Sequence, residues 1–385
     1  MFNSTLHASR LRTCALALLL AAPLSACMVG PDYRRPEVEV PVAWRLGATE
    51  AGEISNIAWW DQFQDPVLSN LVRTALANNK DLEIATANVD QAAAQYGIVR
   101  SAQFPQVSGS ASAARERSSA NTALPGGRTF SNYGVNLSAS FELDVWGKLR
   151  RATESARASL LASEQGKGTI VLTVVTSVAS GYIQLRALDR QLEIAQRTSQ
   201  SLGEAARLQR VRFEEGAVPA SDYQQAESQY REAVARVPEL EREIAQQENF
   251  ISVLLGHNPG LIPRGRDIDV LLFPAVPDGL PASLLQRRPD IRQAEQNLIA
   301  ANANIGVAKA AYFPDISLTA LLGLESAQLS DLFKGPSRTW SFGAGVLQPI
   351  FNAGRIRSQV AQAEALQRQA LHTYEKSIIS AFQDV

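Results

Sequence analysis

This chain contains an internal sequence repeat, and the repeat limits the folds that the chain can adopt. Residues 81–108 (DLEIATANVDQAAAQYGIVRSAQFPQVS) and 290–317 (DIRQAEQNLIAANANIGVAKAAYFPDIS) align without gaps at an offset of 209, with ten of 28 positions identical. In each copy the pattern predicts a helix, a Phe-Pro stop, a strand, a polar loop, a second strand and another long helix. The sequence therefore predicts one structural unit that occurs twice.

The predicted strands have two chemically different faces. The clearest alternation covers 133–145, where apolar residues such as Leu137 alternate with polar ones, and the other strands are predicted near 106–114, 315–326 and 339–351. Each is about as long as a tilted strand needs to cross a bilayer, roughly 9–11 residues. Four strands cannot close a barrel, so if the apolar faces contact lipid, several copies of the chain must share one sheet.

The opposite faces of these strands are expected to line water. The residues predicted to face such a lumen are Asn136, Ser138, Ser140, Glu142, Ser317 and Thr319. Glu142 and Asp144 share a strand face and could imitate the paired carboxylates of a general acid–base site. A solvated strand end is the interpretation that we favour for them.

Long helices are predicted between and after the strands. Nothing interrupts the helical pattern from Gly147 to Phe213, and after the turn EEGAVPAS a second helix shows coiled-coil spacing with many small residues. Pro238 is expected to kink or restart this second helix. The Pro- and Gly-rich segment 257–281 is predicted to be a surface linker between the copies.

The N-terminus has the pattern of a secretory signal peptide, with basic residues before a short apolar run. The residues Leu24-Ser25-Ala26-Cys27 resemble a bacterial lipobox, which predicts that Cys27 is the acylated first residue of the mature chain. An ordinary signal peptide with a chance cysteine is the alternative. No later segment has 18 consecutive apolar residues, and 169–185 is interpreted as a packed helix rather than a membrane span.

The composition argues against catalysis and nucleic-acid binding. The formal net charge is −1, so there is no basic field for nucleic acid. The chain has three histidines and two cysteines, without metal-ligand spacing or a nucleotide-binding glycine motif. We therefore expect no enzyme activity, metal or cofactor. Trp59, Trp60 and Phe63 could form a ligand cage, but a packing anchor is the interpretation that we favour for them. Trp146 and Trp340 remain open between an interfacial aromatic girdle and a core position.

Several stretches together resemble the outer membrane factor family of TolC-like channels, and within it the NodT-like efflux lipoproteins. These stretches cover nearly the whole chain from Cys27 onward, and they are CMVGPDYRRPEVEVP, WWDQFQDPVLSNLVRTALANNKDLEIA, FELDVWGKLRR, RFEEGAVPASDYQQAESQY, VPELEREIAQQENFISVLLGHNPG, LPASLLQRRPDIRQAEQNLIAANANIGVAKAAYFPDISL and PIFNAGRIRSQV.

The resemblance implies a mostly α-helical protein with a four-stranded transmembrane β portion. It implies a homotrimer that shares one 12-stranded β-barrel in the outer membrane, with coiled-coil helical hairpins forming an α-barrel across the periplasm. The implied function is the exit duct of a tripartite efflux system, with a periplasmic adaptor protein and an inner-membrane pump of the resistance-nodulation-division type as partners. The residues that match the adaptor-contacting tip of the family are Gly216, Val218, Ser221 and Asp222.

The predicted organisation has five parts. They are a lipoprotein signal peptide (1–26), a lipidated N-terminal segment (27–65), the first repeat (66–256), a linker (257–280) and the second repeat (281–385). The second repeat stops within its long helix, before a second tip. We therefore expect residues 1–385 alone not to form a stable gated channel. The alternatives are a non-channel periplasmic helical lipoprotein, or a truncated channel fragment without function.

Overall fold

In the computed structural model the chain is mostly helical and carries one small antiparallel sheet. The residues that the structure describes are 28–37, 58–119, 121, 127, 129–272 and 287–384. They divide into two compact units, each formed from separate stretches of the chain. The first unit lies within 1–38, 90–163 and 291–385, and the second lies within 39–89 and 164–290.

The described residues form six α-helices and four strands. The helices are α1 (Pro66–Asn78), α2 (Lys80–Ser101), α3 (Lys148–Glu214), α4 (Ala220–Leu254), α5 (Pro289–Ala310) and α6 (Arg355–Asp384). The strands are β1 (Gln106–Arg117), β2 (Thr129–Leu143), β3 (Asp315–Ser326) and β4 (Arg338–Leu347). Short 3-10 helices cover Trp59–Phe63, Ile268–Val270, Leu329–Asp331 and Gly335–Ser337.

The sheet belongs to the first unit and has the strand order β1-β2-β3-β4, with every neighbouring pair antiparallel. Its two central strands come from different copies of the sequence repeat, because β2 pairs with β3. The outer edges of β1 and β4 have no strand partner among the residues that the structure describes.

The strands agree with the sequence prediction, with differences at their ends. The predicted strand over 315–326 matches β3, whereas β2 ends at Leu143 instead of 145. It ends there because the Asp144 carboxylate accepts hydrogen bonds of 2.9 Å from the backbone N–H groups of Leu149 and Arg150, at the start of α3. β4 ends at Leu347, two residues before Pro349, which has no N–H for a ladder bond.

The core of the second unit forms where α1 packs against α3 and α4. Asp65 begins α1 by accepting a hydrogen bond from Val67 N at 2.8 Å, and Pro66 suits the first helical position. The fully buried side chains of this core include Leu68, Val72, Val178, Tyr182, Leu185, Leu240 and Ile251. Trp59, Trp60 and Phe63 pack against the same core, which confirms their interpretation as a packing anchor.

Helix α3 is the one helix of the described chain that is long and apolar enough, by length and composition, to span a membrane. Its apolar residues Val174, Val175 and Val178 are instead buried in the core of the second unit. This agrees with the packed helix that the sequence predicts over 169–185.

The structure differs from the sequence prediction at two places, one within α4 and one in the segment that follows it. Of the two outcomes expected at Pro238, the restart is wrong, because α4 continues through this residue, and the kink stays a prediction. The carbonyl of Val234 loses its usual donor there, and because Val234 and Pro238 lie on an exposed face, water can replace that donor. The segment after α4 is more than a surface linker, since Ile262 and Leu271 within it are buried.

Candidate functional site

The strand register sorts the side chains of the sheet onto two faces. Leu137 pairs with Gly109 on one side and with Leu322 on the other, and Leu322 pairs with Trp340. The face that these residues share, called here the apolar face, also carries Val107, Ala111, Ala113, Tyr133, Val135, Ala139, Phe141, Ile316, Leu318, Ala320, Leu324, Phe342, Ala344 and Val346. Leu137 and Leu322 are each 51% exposed and Trp340 is 71% exposed. The sheet therefore presents a broad hydrophobic surface outward.

The opposite face, called here the polar face, contains all six residues that the sequence predicts to line a lumen. Ser140 pairs with Thr319 and Glu142 pairs with Ser317, while Asn136 and Ser138 lie farther along the same face of β2. Hydroxyl and amide groups bond across the strands, with 2.8 Å between the Oγ atoms of Ser138 and Ser108 and 2.8 Å from Asn132 Nδ2 to Glu325 Oε1. Phe130, Leu321 and Leu347 are apolar exceptions on this face.

Small residues keep the polar face of β4 flat. A Cβ atom at Gly343 would lie 3.1 Å from Thr319 Oγ1, and one at Gly345 would lie 3.2 Å from Ser317 Oγ. Both distances are tight, so glycine lets these neighbouring hydroxyls stay in place. This supports the interpretation of the Gly-Ala-Gly motif as strand packing.

A lysine neutralises the acidic groups at the helix-proximal end of the polar face. Lys148 Nζ lies 3.0 Å from Glu142 Oε1 and 3.2 Å from Asp315 Oδ1. Partial burial opposes its charge, but the hydrogen bonds and the attraction of the two carboxylates outweigh this effect and raise the pKa of Lys148. Asp144 is instead bound to the start of α3, so Glu142 and Asp144 do not form the paired-acid arrangement.

The turn between α3 and α4 ends the long helix through a Schellman motif. Ala217 N donates to Arg212 O at 2.8 Å, and Gly216 N donates to Phe213 O at 3.0 Å. Gly216 has a φ of 74°, which glycine adopts at low cost. Pro219 then precedes the first residue of α4 in extended conformation.

All four residues that match the family's tip lie on or beside this turn. Gly216, Ser221 and Asp222 are exposed and Val218 is half-buried. Phe213 lies near the end of α3 and Tyr223 near the start of α4, and their rings stack with centroids 5.9 Å apart. This stacking links the ends of the two helices. The result is a fixed turn with polar groups available for a partner.

A feature that the sequence did not predict is the N-terminal strap, residues 28–37, which lies along α3 and α5. Val29 N donates to Trp146 O at 3.0 Å, and Asn302 Nδ2 of α5 donates to Pro31 O at 2.9 Å. The Arg151 guanidinium of α3 lies 2.6 Å from Asp32 Oδ1. The Arg151 side chain is only 3% exposed, so the strap supplies a partner for a buried cation.

The strap also supplies partners to a buried anion. Glu295 of α5 accepts hydrogen bonds from the Tyr33 hydroxyl at 3.1 Å and from Arg35 Nε at 2.6 Å. Burial, with a contribution from the adjacent Glu295, raises the pKa of Tyr33 far above its usual range. Arg35 and Glu295 are 260 residues apart and Asp32 and Arg151 are 119 residues apart, so no local sequence pattern indicates these pairs.

The two repeated helices differ at one aligned glycine because of this strap. A Cβ atom at Gly306 would meet Val29 O at 2.7 Å, whereas one at Gly97 would meet nothing within 4 Å. The two tryptophans at strand ends also differ. Trp146 stacks on Phe313 at 4.7 Å and donates to Pro314 O at 2.9 Å, which makes it a packing residue, whereas Trp340 faces outward.

No cluster of three or more His, Cys, Asp or Glu side chains suited to a metal ion occurs within the described part of the chain. The predicted lipidation site, Cys27, lies outside the described residues.

A sequence model of the outer membrane efflux protein family matches residues 71–257 and 280–385. The chain belongs to this family. It is 38% identical over 372 residues to the probable efflux pump outer membrane protein TtgC of Pseudomonas putida, covering 94% of this chain and 77% of that protein. It is 34% identical over 377 residues to the cation efflux system protein CusC of Escherichia coli, covering 96% and 81% respectively.

Solved structures of outer membrane efflux proteins have the same fold. A crystal structure of a membrane protein from Pseudomonas aeruginosa matches with a TM-score of 0.84 at 35% identity, covering 93% of this chain and 82% of that one. The outer-membrane efflux function and the location that the sequence predicts are thus confirmed: the protein lies in the bacterial outer membrane and extends into the periplasm. Proteins of this family are channels rather than enzymes.

Proposed function

We propose that three copies of this outer membrane efflux protein form one passive exit duct, in which the three four-stranded sheets close a 12-stranded barrel. The observation that carries this proposal is the sheet itself, which has an exposed apolar face, a polar face and two edges without a strand partner among the described residues. Unpaired backbone groups in lipid cost several kcal/mol each, so an open sheet is not a stable membrane structure. Pairing β1 of one copy with β4 of the next removes every edge.

In this arrangement the apolar face contacts lipid and the polar face lines the water-filled lumen. The lumen-facing residues are then Asn136, Ser138, Ser140, Glu142, Ser317 and Thr319. Their hydroxyl, amide and carboxylate groups hydrate well, and the Ser138 hydroxyl is also bonded across the strands to that of Ser108. The duct conducts solutes without chemistry of its own, with no cofactor and no catalytic residue.

The turn between α3 and α4 is the proposed adaptor-contacting site. Gly216, Val218, Ser221 and Asp222 would meet a periplasmic adaptor protein, which links the duct to an inner-membrane pump of the resistance-nodulation-division type. The fixed Schellman geometry supports this role, because a preorganised turn loses little conformational entropy on binding.

The N-terminal segment would add a second membrane attachment through an acylated Cys27. The strap begins at the next residue and is bonded to α3 and α5. An anchor at Cys27 would therefore be joined to the folded body by a short, ordered connection, and the protein would be a homotrimeric lipoprotein with its five predicted parts as proposed above.

Disulfide trapping between strand edges tests the shared barrel. Cysteine at Ser110 of β1 is combined with cysteine at Ser341, Gly343 or Gly345 of β4, three positions that together scan the unknown register. Within one copy β1 and β4 are three strand spacings apart, roughly 14 Å. A disulfide needs Cα atoms within about 7 Å, so only neighbouring copies can be joined.

In at least one register, oxidation should yield dimers and trimers on a non-reducing gel, and no larger species. Each single-cysteine variant is the matched control and should stay monomeric. Absence of cross-linking in all three registers, or a ladder extending beyond trimers, would refute the 12-stranded barrel. Single-channel conductance of the full-length protein in planar bilayers tests the duct itself.

A further inference from the structure

The charged residues of the four strands separate completely by face. The three cations, Arg115, Arg117 and Arg338, lie on the apolar face, where they pair with Ser131, Thr129 and Leu324. The four anions lie on the polar face, and they are Glu116, Glu142, Asp315 and Glu325. Charge on a surface that is otherwise apolar needs a partner of its own.

All three arginines lie at the same end of the sheet. Arg115 and Arg117 are among the last three residues of β1, and Arg338 is the first residue of β4. This end carries the β1–β2 and β3–β4 connections, whereas the opposite strand ends lead to the helices. Trp340 and Phe342 lie on the same face next to Arg338, with ring centroids 5.8 Å apart.

The three guanidinium groups are exposed and have no ion-pair partner among the described residues. Two lysines among the described residues, one in the β3–β4 connection and one at the start of α3, are instead paired with carboxylates. Lys334 in the β3–β4 connection lies 2.5 Å from Asp331 Oδ1, and Lys148 at the opposite end of the sheet is paired with two carboxylates. Within the described part of the chain, the three arginines are thus the cations of the apolar face that have no ion-pair partner.

We propose that Arg115, Arg117 and Arg338 bind phosphate-bearing lipid headgroups of the outer leaflet. The proposal rests on the barrel topology proposed above, in which the helices lie in the periplasm and this end of the sheet reaches the outer leaflet. Guanidinium groups bind phosphate through two parallel hydrogen bonds. An arginine facing lipid costs little near the interface, in contrast to the bilayer midplane. Aromatic side chains such as Trp340 favour the same depth.

Lipid binding to the full-length protein in neutral detergent micelles tests this inference. The probes are bis-phosphorylated lipid A, its dephosphorylated form and inorganic phosphate, each followed by native mass spectrometry. The variant R115Q/R117Q/R338Q should bind phosphorylated lipid A at least tenfold more weakly than the unaltered protein. The triple Arg→Lys variant keeps the positive charge but cannot form two parallel hydrogen bonds to one phosphate. Its affinity for phosphorylated lipid A should lie between those of the unaltered protein and the triple Gln variant.

Two control variants remove charge elsewhere. E116Q/E325Q alters the same end of the sheet on the polar face, and R207Q removes an exposed arginine of α3; both should bind within twofold of the unaltered protein. Equal binding by the triple Gln variant, or equal binding of the dephosphorylated lipid, would overturn the proposal. Inorganic phosphate that competes at millimolar concentration would also overturn it, because the site would then bind a free anion.

Conductance in neutral bilayers separates this inference from the proposed function. A triple Gln variant that conducts normally but has lost the lipid supports the headgroup site. A protein that binds the lipid through these arginines and does not conduct contradicts the duct and supports the headgroup site.

Discussion

Arg35 and Glu295 form a two-pronged ion pair across 260 residues of sequence, with 2.6 Å from Nε to Oε1 and 2.5 Å from Nη2 to Oε2. The Glu295 side chain is 8% exposed, so the carboxylate depends on these donors in place of water. The pair fastens the N-terminal strap to α5, in the second repeat. The anchoring of the strap is therefore electrostatic as well as steric.

Replacing Arg35 with Gln should loosen the strap. The variant removes the strongest partner of Glu295 and leaves the Tyr33 hydroxyl as its remaining donor. Because Arg35 is half exposed, we expect a modest cost of about 1–2 kcal/mol in the free energy of unfolding. Chemical denaturation followed by circular dichroism measures this loss, and limited proteolysis followed by mass spectrometry should show faster cleavage within residues 28–37.

Arg34 provides the matched control, since it is the preceding residue, carries the same charge and is exposed. R34Q should leave both measurements unchanged. Equal effects of R34Q and R35Q would show that net charge, and not the pair with Glu295, holds the strap.

Arginine substitutions on the sheet should separate its two faces. Leu137→Arg places a charge in the middle of the apolar face and should cost roughly 2–4 kcal/mol if that face contacts lipid at mid-depth. Ser140→Arg, three residues along β2 on the polar face, should assemble normally and change the single-channel conductance. Heat-modifiable trimers on gels report assembly, and equal assembly of the two variants would contradict the lipid-facing assignment.

Two glycines with equal space around them should respond to alanine in opposite directions. A Cβ atom at Gly216 or at Gly97 would meet nothing within 4 Å, but Gly216 has a φ of 74° and Gly97 lies within helix α2. G216A should destabilise the protein by about 1 kcal/mol, because alanine is strained in the left-handed region. G97A should stabilise it by about 0.5–1 kcal/mol. The denaturation midpoint should therefore fall for G216A and rise for G97A, each relative to the unaltered protein.

The adaptor-contacting role of the turn predicts a loss of binding without a loss of stability. Asp222→Lys reverses an exposed charge beside the turn and should weaken binding of the cognate periplasmic adaptor by at least tenfold in surface plasmon resonance. Glu204→Lys makes the same charge change at an exposed site on α3 and should bind normally. If the D222K variant binds the adaptor like the unaltered protein, the contact lies elsewhere.

Tyr182 should make stability fall at high pH. Its hydroxyl donates to Asp65 Oδ2 at 2.8 Å and accepts from Gly265 N at 2.8 Å, and burial followed by the bond to Asp65 raises the pKa of Tyr182 to about 12. The unfolded side chain titrates near pH 10. The stabilisation from the protonated hydroxyl is therefore complete below about pH 10 and is lost as the pH rises toward 12.

Y182F tests both parts of this expectation. Removing the hydroxyl leaves the partly buried Gly265 N–H without its acceptor and the buried Asp65 carboxylate without one donor, and should cost about 1–3 kcal/mol at neutral pH. The difference in unfolding free energy between the two proteins should shrink between pH 10 and 12. A constant difference across this range, measured by urea denaturation, would show that the titration of Tyr182 is not coupled to folding.

The local elements of this fold could be predicted from the sequence because their signals are local. Period-2 alternation placed the four strands, and the Gly-Ala-Val-Pro turn marked the boundary between the two long helices. The faces of each strand also followed from the alternation. Asn136, Ser138, Ser140 and Glu142 were therefore known to share one face of their strand, and Ser317 and Thr319 one face of theirs, before the two strands were paired.

Tertiary structure decided which distant residues meet. The pairing of β2 with β3 put the apolar faces of both repeats on one side, and the same register placed every arginine of the strands on that side and every carboxylate on the other. The strap, with Arg35 on Glu295 and Asp32 on Arg151, was absent from any local pattern. The periodicity of a sequence shows which face of its own helix or strand a residue occupies. A buried charge, in contrast, is stabilised by a group that the fold brings within hydrogen-bond distance, and that group can lie at any separation in sequence.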